Sequence, residues 1–117
     1  MVRAQKTTTL DATFLALSDP TRRAILARLA RGEATVMQLA EPFDMTQPAV
    51  SRHLRVLEDA GLITRRVDGT KRPCKLAKAG IDAIDQWLEM LRGALERSYE
   101  RLDEVLAEAK TKKRRSR

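Results

Sequence analysis

Between Ile81 and Ala109 the apolar residues fall at alternating steps of three and four: Ile81, Ile84, Leu88, Leu91, Leu95, then Ser98, Leu102, Val105 and Ala109. This is the a/d rhythm of a coiled-coil seam, sustained over four heptads with one polar interruption at Ser98. A helix begun near Lys78 and carried to Ala109 would be roughly 45 Å long at about 1.5 Å per residue. A small domain cannot cover that length with its own body. Three heptads would suffice for an intrachain core helix; four tilt the reading towards a second copy of the chain. The chain as a whole, 117 residues of which 43% are hydrophobic, is enough for a single domain with a real core.

Helical spacing of apolar residues extends over most of the remaining sequence. A first helix is expected from Thr9 to Leu17, with Leu10, Phe14 and Leu17 on one face. Ser18-Asp19-Pro20 punctuates the chain: Asp19 is a good N-cap, and Pro20 suits the first helical position because its missing N–H would go unpaired there. The second helix carries Ile25, Leu26 and Leu29 inward and stops at Gly32. A third, short one covers Val36–Glu41, burying Val36, Leu39 and Ala40, with Pro42 and Asp44 limiting it. The fourth is capped by Thr46, runs to about Ala60 and stops at Gly61. Val50, Leu54 and Leu57 form its inner stripe. After Gly61 the period changes: Ile63 and Val67 alternate with Thr64, Arg65 and Arg66, Asp68-Gly69 marks a hairpin turn, and Thr70–Leu76 returns. Pro73 cannot donate to a ladder, so the returning strand should lie at an edge or end early.

Charge divides the chain into distinct surfaces. The net of +7 comes from +1 over residues 1–45, +4 over 46–76, +1 at Lys78, −5 over 81–109 and +6 over 110–117. The last eight residues read as a basic, disordered tail: a solubilising end, or a loose phosphate contact indifferent to sequence. One cysteine excludes an intramolecular disulfide, and no apolar run approaches the roughly 20 residues of a membrane span. With no signal-peptide pattern at the N-terminus, the expected location is the cytoplasm, in association with the nucleoid.

One histidine (His53) and one cysteine (Cys74) cannot build a converging ligand set, so no metal is expected. Asp82, Asp85 and Glu89 at helical spacing read as a solvated face. The five glycines are scattered and form no phosphate-cradling loop, and no nucleophile–base pairing is apparent, so neither catalytic residues nor a cofactor are expected. Single-stranded nucleic acid needs aromatic platforms, which the strands lack. Duplex DNA requires a helix with polar side chains on an exposed face. Residues 36–63 read as helix, tight turn and longer capped helix, the helix-turn-helix order in which the second helix enters the major groove by its N-terminal half. Gln47, Pro48, Ser51, Arg52 and Arg55 form its open face. Gln can pair bidentately with adenine and Arg with guanine. Arg65, Arg66, Lys71, Arg72 and Lys75 then flank the Asp68-Gly69 turn, as a wing lying along the backbone would require.

The strings LALSDPTRRAILARL at 15–29 and TQPAVSRHLRVLEDAGLI at 46–63, with the basic hairpin, resemble ArsR-type winged helix-turn-helix repressors over residues 9–108. The resemblance implies a bacterial or archaeal homodimer formed through the first and last helices, bound to an inverted repeat that overlaps a promoter. It places recognition-helix contacts on Gln47, Pro48, Ser51 and Arg52, with Arg55 reaching a phosphate and His53 packed and partly exposed. Metal-responsive members carry cysteines where this chain has Val36, Met37 and Gln38, or histidine in the final helix, which has none. Redox-sensing members need two cysteines. The resemblance is therefore to the metal-independent branch. Asp44 stands where a glycine is common in the turn, and Asp tolerates left-handed geometry.

The expected architecture is mainly α with a small β-hairpin wing: a winged helix-turn-helix domain over 1–109 with a long C-terminal dimerisation helix, then the tail at 110–117. The expected function is sequence-specific binding of double-stranded DNA by a homodimeric repressor on a palindromic operator, with a small-molecule inducer open. The dimer interface is assigned to Leu10, Phe14, Leu17, Ile84, Leu88, Leu91, Leu95 and Leu102. Two alternatives stand beside it: a winged-helix and coiled-coil module that docks protein, and a non-specific architectural DNA binder driven by the tail.

Overall fold

The computed structural model describes the backbone of residues 2–115 and the side chains of residues 9–113. Five helices and three short strands follow in the order α1 (Val2–Leu17), α2 (Pro20–Leu29), β1 (Ala34–Thr35), α3 (Val36–Phe43), α4 (Gln47–Asp59), β2 (Ile63–Arg65), β3 (Pro73–Leu76) and α5 (Lys78–Arg115). The chain divides into two compact units, with the division between Ile84 and Asp85 inside α5.

In the first unit the expected inner stripes converge. Ile25 of α2, Leu39 of α3, and Val50, Leu54 and Leu57 of α4 are fully buried, and Leu62, Ile63 and Cys74 close the core from the sheet side. At about 25 cal/mol per Å² of apolar surface removed from water, each large side chain so buried is worth roughly 1.5–3 kcal/mol. Helix α1 buries a different face from the one its large residues suggest. Thr13 and Ala16 point into the core, Leu10 and Leu17 are half-buried, and Phe14 remains 40% exposed. Two small residues let α1 lie close to its neighbours. The Thr13 hydroxyl sits within hydrogen-bond distance of its own-turn carbonyl at Thr9 (3.0 Å) and of the Ala60 carbonyl at the end of α4 (3.1 Å). Its one proton serves one of them at a time.

The end of α4 is where the unit is tied together. Gly61 takes φ +73, its N–H donates to Glu58 O, and Leu62 N–H donates to Leu57 O. This is the Schellman pattern, with both apolar partners, Leu57 and Leu62, buried. Gly80, near the start of α5, then donates its N–H to Gly61 O at 2.7 Å, and Ala77 donates to Leu62 O. A Cβ at Gly80 would come 2.8 Å from Ala60 O and 2.9 Å from Gly61 O.

Four expectations are corrected. The sheet has three strands in the order β1-β3-β2, so the proline-bearing β3 is central, not an edge. Pro73 is tolerated because it is the strand's first residue; it pairs in register with Thr35, and its carbonyl accepts from Arg66 N–H. Helix α3 runs through Pro42 to Phe43 instead of stopping before it. The hairpin loop is Gly69-Thr70, enclosed by reciprocal hydrogen bonds between Asp68 and Lys71. Gly69 alone takes positive φ (+64), as a type II′ turn requires at its first central position. Finally, α5 continues through Lys110 to Arg115, where a disordered tail is expected. Ala107 and Ala109 favour helix, cations suit a helix C-terminus, and Thr111 Oγ1 donates to Ala107 O.

In the second unit the seam residues are open: Leu88, Leu91, Leu95 and Leu102 are 38–53% exposed. Among the described residues no helix is long and apolar enough to cross a membrane.

The close approach at Gly80 makes a paired prediction. Gly80→Ala should lower stability by about 2 kcal/mol through overpacking against backbone oxygens. Gly93→Ala, whose added Cβ meets only the far end of the Arg97 side chain, should be neutral or stabilising by up to about 1 kcal/mol. Urea unfolding at fixed protein concentration reads both, and an unchanged midpoint for Gly80→Ala would show that the junction yields.

Candidate nucleic-acid interface

Helix α3 starts in a capping box: Thr35 Oγ1 accepts from Gln38 N–H, and Gln38 Oε1 accepts from Thr35 N–H at 2.8 Å. It ends at Asp44 in the left-handed conformation (φ 51, ψ 43), which a residue standing in for glycine at this turn has to adopt. Thr46 then caps α4, its Oγ1 accepting from Ala49 N–H, with Pro48 in the first turn. Because Val50, Leu54 and Leu57 are fully buried, the opposite arc of α4 is fixed outward. Gln47, Pro48, Arg52 and Arg55 are exposed there, and Ser51 is half-buried.

The sequence of the α1–α2 turn explains how α4 is held. Asp19 Oδ2 accepts from Arg22 N–H at 2.9 Å, and that backbone hydrogen bond holds its carboxyl below the usual carboxylate range. The Arg22 side chain turns back over the end of α1, where helix carbonyls lack partners. Nε donates to Ala16 O (2.8 Å) and Nη2 to Leu15 O (3.0 Å), while Nη1 lies 3.3 Å from His53 Nδ1 on α4. Guanidinium has no acceptor, so this contact uses the Nδ1 lone pair of His53. Arg23 Nη1 donates to Leu17 O. The two arginines thus cap α1, and one of them reaches α4. His53 is half-buried and packed, as expected for it.

A cleft of about 590 Å³ opens between three elements. Thr35 to Gln38 supply one wall, Gln47 and Ser51 of α4 the second, and Thr70, Lys71 and Arg72 of the hairpin the third. Pro48, Arg52 and Arg55 lie on α4 outside this lining. The five hairpin cations do not form one set. Arg65 Nη2 is 3.0 Å from Glu58 Oε1, and Arg66 Nη1 is 2.7 Å from Glu33 Oε1. Lys71, Arg72 and Lys75 are exposed and make no ion pair among the described residues. Glu33 lies outside the motif strings and Glu58 inside one of them, and neither is among the expected site residues. Glu58 lies seven residues from its partner, close enough to be found by local charge pairing; Glu33 lies 33 residues away and carries no such signal.

Residues 19–65, from the Asp19 cap to Arg65, match the family described as bacterial regulatory protein, arsR family. An HTH-type transcriptional regulator of Mycobacterium tuberculosis is 45% identical over 74 residues, spanning 63% of this chain and 69% of that protein. The chain belongs to the arsR family. An arsenical resistance operon repressor of Staphylococcus xylosus is 39% identical over 75 residues, 64% of this arsR-family chain and 72% of the repressor. A solution structure of a homodimeric winged helix-turn-helix DNA-binding domain from Mycobacterium bovis, a possible ArsR-family regulator, superposes with a TM-score of 0.62. It is 27% identical, over 81% of this chain and 86% of that one. The architecture is accordingly a winged helix-turn-helix, with α3 and α4 as its motif and β2–β3 as the wing.

Cysteine chemistry is settled by burial. Cys74 is fully buried in β3, its Sγ 3.7 Å from Arg72 O, and desolvation pushes its thiol above the ordinary value. It stays neutral at neutral pH, when thiolate is the reactive form. Among the described residues no group of three or more His, Cys, Asp or Glu is placed to hold a metal ion. A maleimide should leave Cys74 unlabelled in the folded protein over the time in which the urea-unfolded chain reacts completely, as followed by mass spectrometry. Rapid labelling of the native state would contradict that burial.

Proposed function

We propose that this arsR-family regulator is a homodimeric repressor that binds double-stranded DNA at a palindromic operator. One observation carries the reading: the N-terminal half of α4 and the two uncompensated cations of the wing tip, Lys71 and Arg72, open on the same cleft. Gln47 and Ser51 have the donors and acceptors to read base edges from within a major groove about 12 Å wide. Arg52, on the same outward arc, would read guanine, and Arg55 and Pro48 would lie against the backbone. Lys71 and Arg72 would hold phosphates, which position a protein without specifying sequence.

Dimer formation is supported by the apolar side chains that each unit leaves uncovered. In the first unit these are Phe14, with Leu10, Leu17 and Ile84 half-buried; in the second they are Leu88, Leu91, Leu95 and Leu102. Two-fold symmetry would place half-sites about 34–36 Å apart, one helical turn. A repressor of this kind blocks polymerase by occupancy and needs neither a catalytic group nor a cofactor. It would sit on the chromosome in the cytoplasm, and an inducer would be a small molecule and not a metal. Residues 1–109 would suffice for operator choice, with 110–117 adding contact indifferent to sequence.

The test compares DNA from upstream of the protein's own gene with random duplex of equal length, at two salt concentrations, with the full chain and with residues 110–117 removed. A preference of about a thousandfold or more that survives removal is expected. Equal, steeply salt-dependent binding that disappears with the tail would replace this reading with an architectural binder. Arg52→Ala should cost about 1–3 kcal/mol on operator and little on random duplex. Neutralising Lys71 and Arg72 should weaken both alike and reduce the salt slope by about two. Equal losses on both duplexes for Arg52→Ala would remove that residue from base reading.

A further inference from the structure

The hairpin carries more positive charge in its sequence than it presents. Arg66 directly follows β2, where its backbone N–H donates to Pro73 O, so its Cα is fixed beside the sheet. Glu33 immediately precedes β1, whose Ala34 is paired with Cys74 of the central strand. The two residues are thus held at the outer strands of one sheet, across β3, and their side chains meet at 2.7 Å in open solvent, with 53% and 43% of their surfaces exposed. The Arg66 hydrogen bond keeps the Glu33 carboxyl below its ordinary range, so it is ionised at neutral pH. Opening the pair would not remove the anion, because backbone pairing keeps Glu33 at that edge. A phosphate approaching Arg66 therefore meets the Glu33 carboxylate beside it, with Asp68 adding negative charge near Arg66 and Lys75 positive charge near Glu33. Lys71 and Arg72, at the tip, have no such partner among the described residues.

We infer that Glu33 withholds Arg66 from DNA phosphates and so limits the strength and the salt dependence of the wing's sequence-independent hold on any duplex. The inference rests on the proposed DNA-binding reading. Its physical basis is counterion release: each phosphate neutralised steepens the dependence of log affinity on log salt by about 0.9. A protein with fewer free cations binds operator and random duplex less by the same factor, while contacts to base edges are untouched. Arg65, half-buried and tied to Glu58 at the end of α4, is withheld in the same way at a less exposed position.

The experiment measures salt-dependent binding of the full chain, Glu33→Gln and Glu33→Gln/Arg66→Gln to operator and random duplex, between about 50 and 200 mM salt. Glu33→Gln should steepen the slope on random duplex by about 0.9, which is roughly a 3.5-fold larger change in affinity across that range. Operator affinity should gain by the same factor, leaving the operator-to-random ratio unchanged. The double variant should return the slope to that of the unaltered chain. If the unaltered chain binds duplex but Glu33→Gln leaves its slope unchanged or weakens binding, Glu33 is a wing support and the inference is wrong. If the steeper slope persists in the double variant, Arg66 is not the released cation, and the inference fails equally. If the unaltered chain binds no duplex at either salt, the DNA-binding reading itself falls, and the inference with it. Circular dichroism confirms that each variant is folded.

Discussion

Two carbonyl oxygens at the end of α4, those of Ala60 and Gly61, hold the rest of the arrangement in place. A helix C-terminus leaves its last carbonyls without intrahelical partners, and burying them unpaired is costly. Here the partners come from opposite ends of the sequence: the Thr13 hydroxyl of α1 and the Gly80 N–H of α5. Neither contact tolerates a bulkier arrangement, since Gly80 has no room for a Cβ and Thr13 is fully buried. The helix that carries Gln47, Ser51 and Arg52 is therefore set by its far end, and the cleft it lines is a consequence of that anchoring.

Arg22 supplies the second constraint. One guanidinium caps two carbonyls of α1 and reaches the imidazole of His53, while its own backbone N–H is taken by Asp19. Charge-assisted hydrogen bonds of this kind are about twice as strong as neutral ones. The Asp-Pro-Thr-Arg-Arg string thus has a structural meaning independent of any ligand. It fixes the angle between the first two helices and steadies the middle of the fourth. The residues between α3 and α4 add a third element, with Asp44 in left-handed geometry and Thr46 capping α4.

What the sequence discloses is what local chemistry decides. The caps at Asp19 and Thr46, the stop at Gly61 and the stripe Val50–Leu54–Leu57 all stand where periodicity and turn chemistry place them, and the left-handed Asp44 stands where the family resemblance implies it. What it conceals depends on partners distant along the chain. Strand β1 is two residues long and exists only because β3 comes to lie beside it. Thr13 reads as a polar interruption until Ala60 O is set next to it. Pro73 argues against a central strand unless it is known to be the first residue. Composition marks the last residues as too polar to fold, yet a helix can continue without a core so long as its predecessors carry it. In the candidate interface the exposed face of α4 is legible, because burial of its other side dictates it. The division of the wing cations into paired and unpaired is not, because the Glu33 carboxylate is brought to Arg66 only by the sheet.

The two-residue loop at Gly69-Thr70 also sets a length. From the end of β2 at Arg65 to Gly69 the chain advances four residues, and at about 3.3 Å each the hairpin can project at most roughly 13 Å beyond its paired base. That lever is comparable with the width of one major groove and well short of a full helical turn of duplex. On the proposed DNA-binding reading, a wing of this reach would stay within the groove beside α4, and each protomer's footprint would be confined to a single half-site.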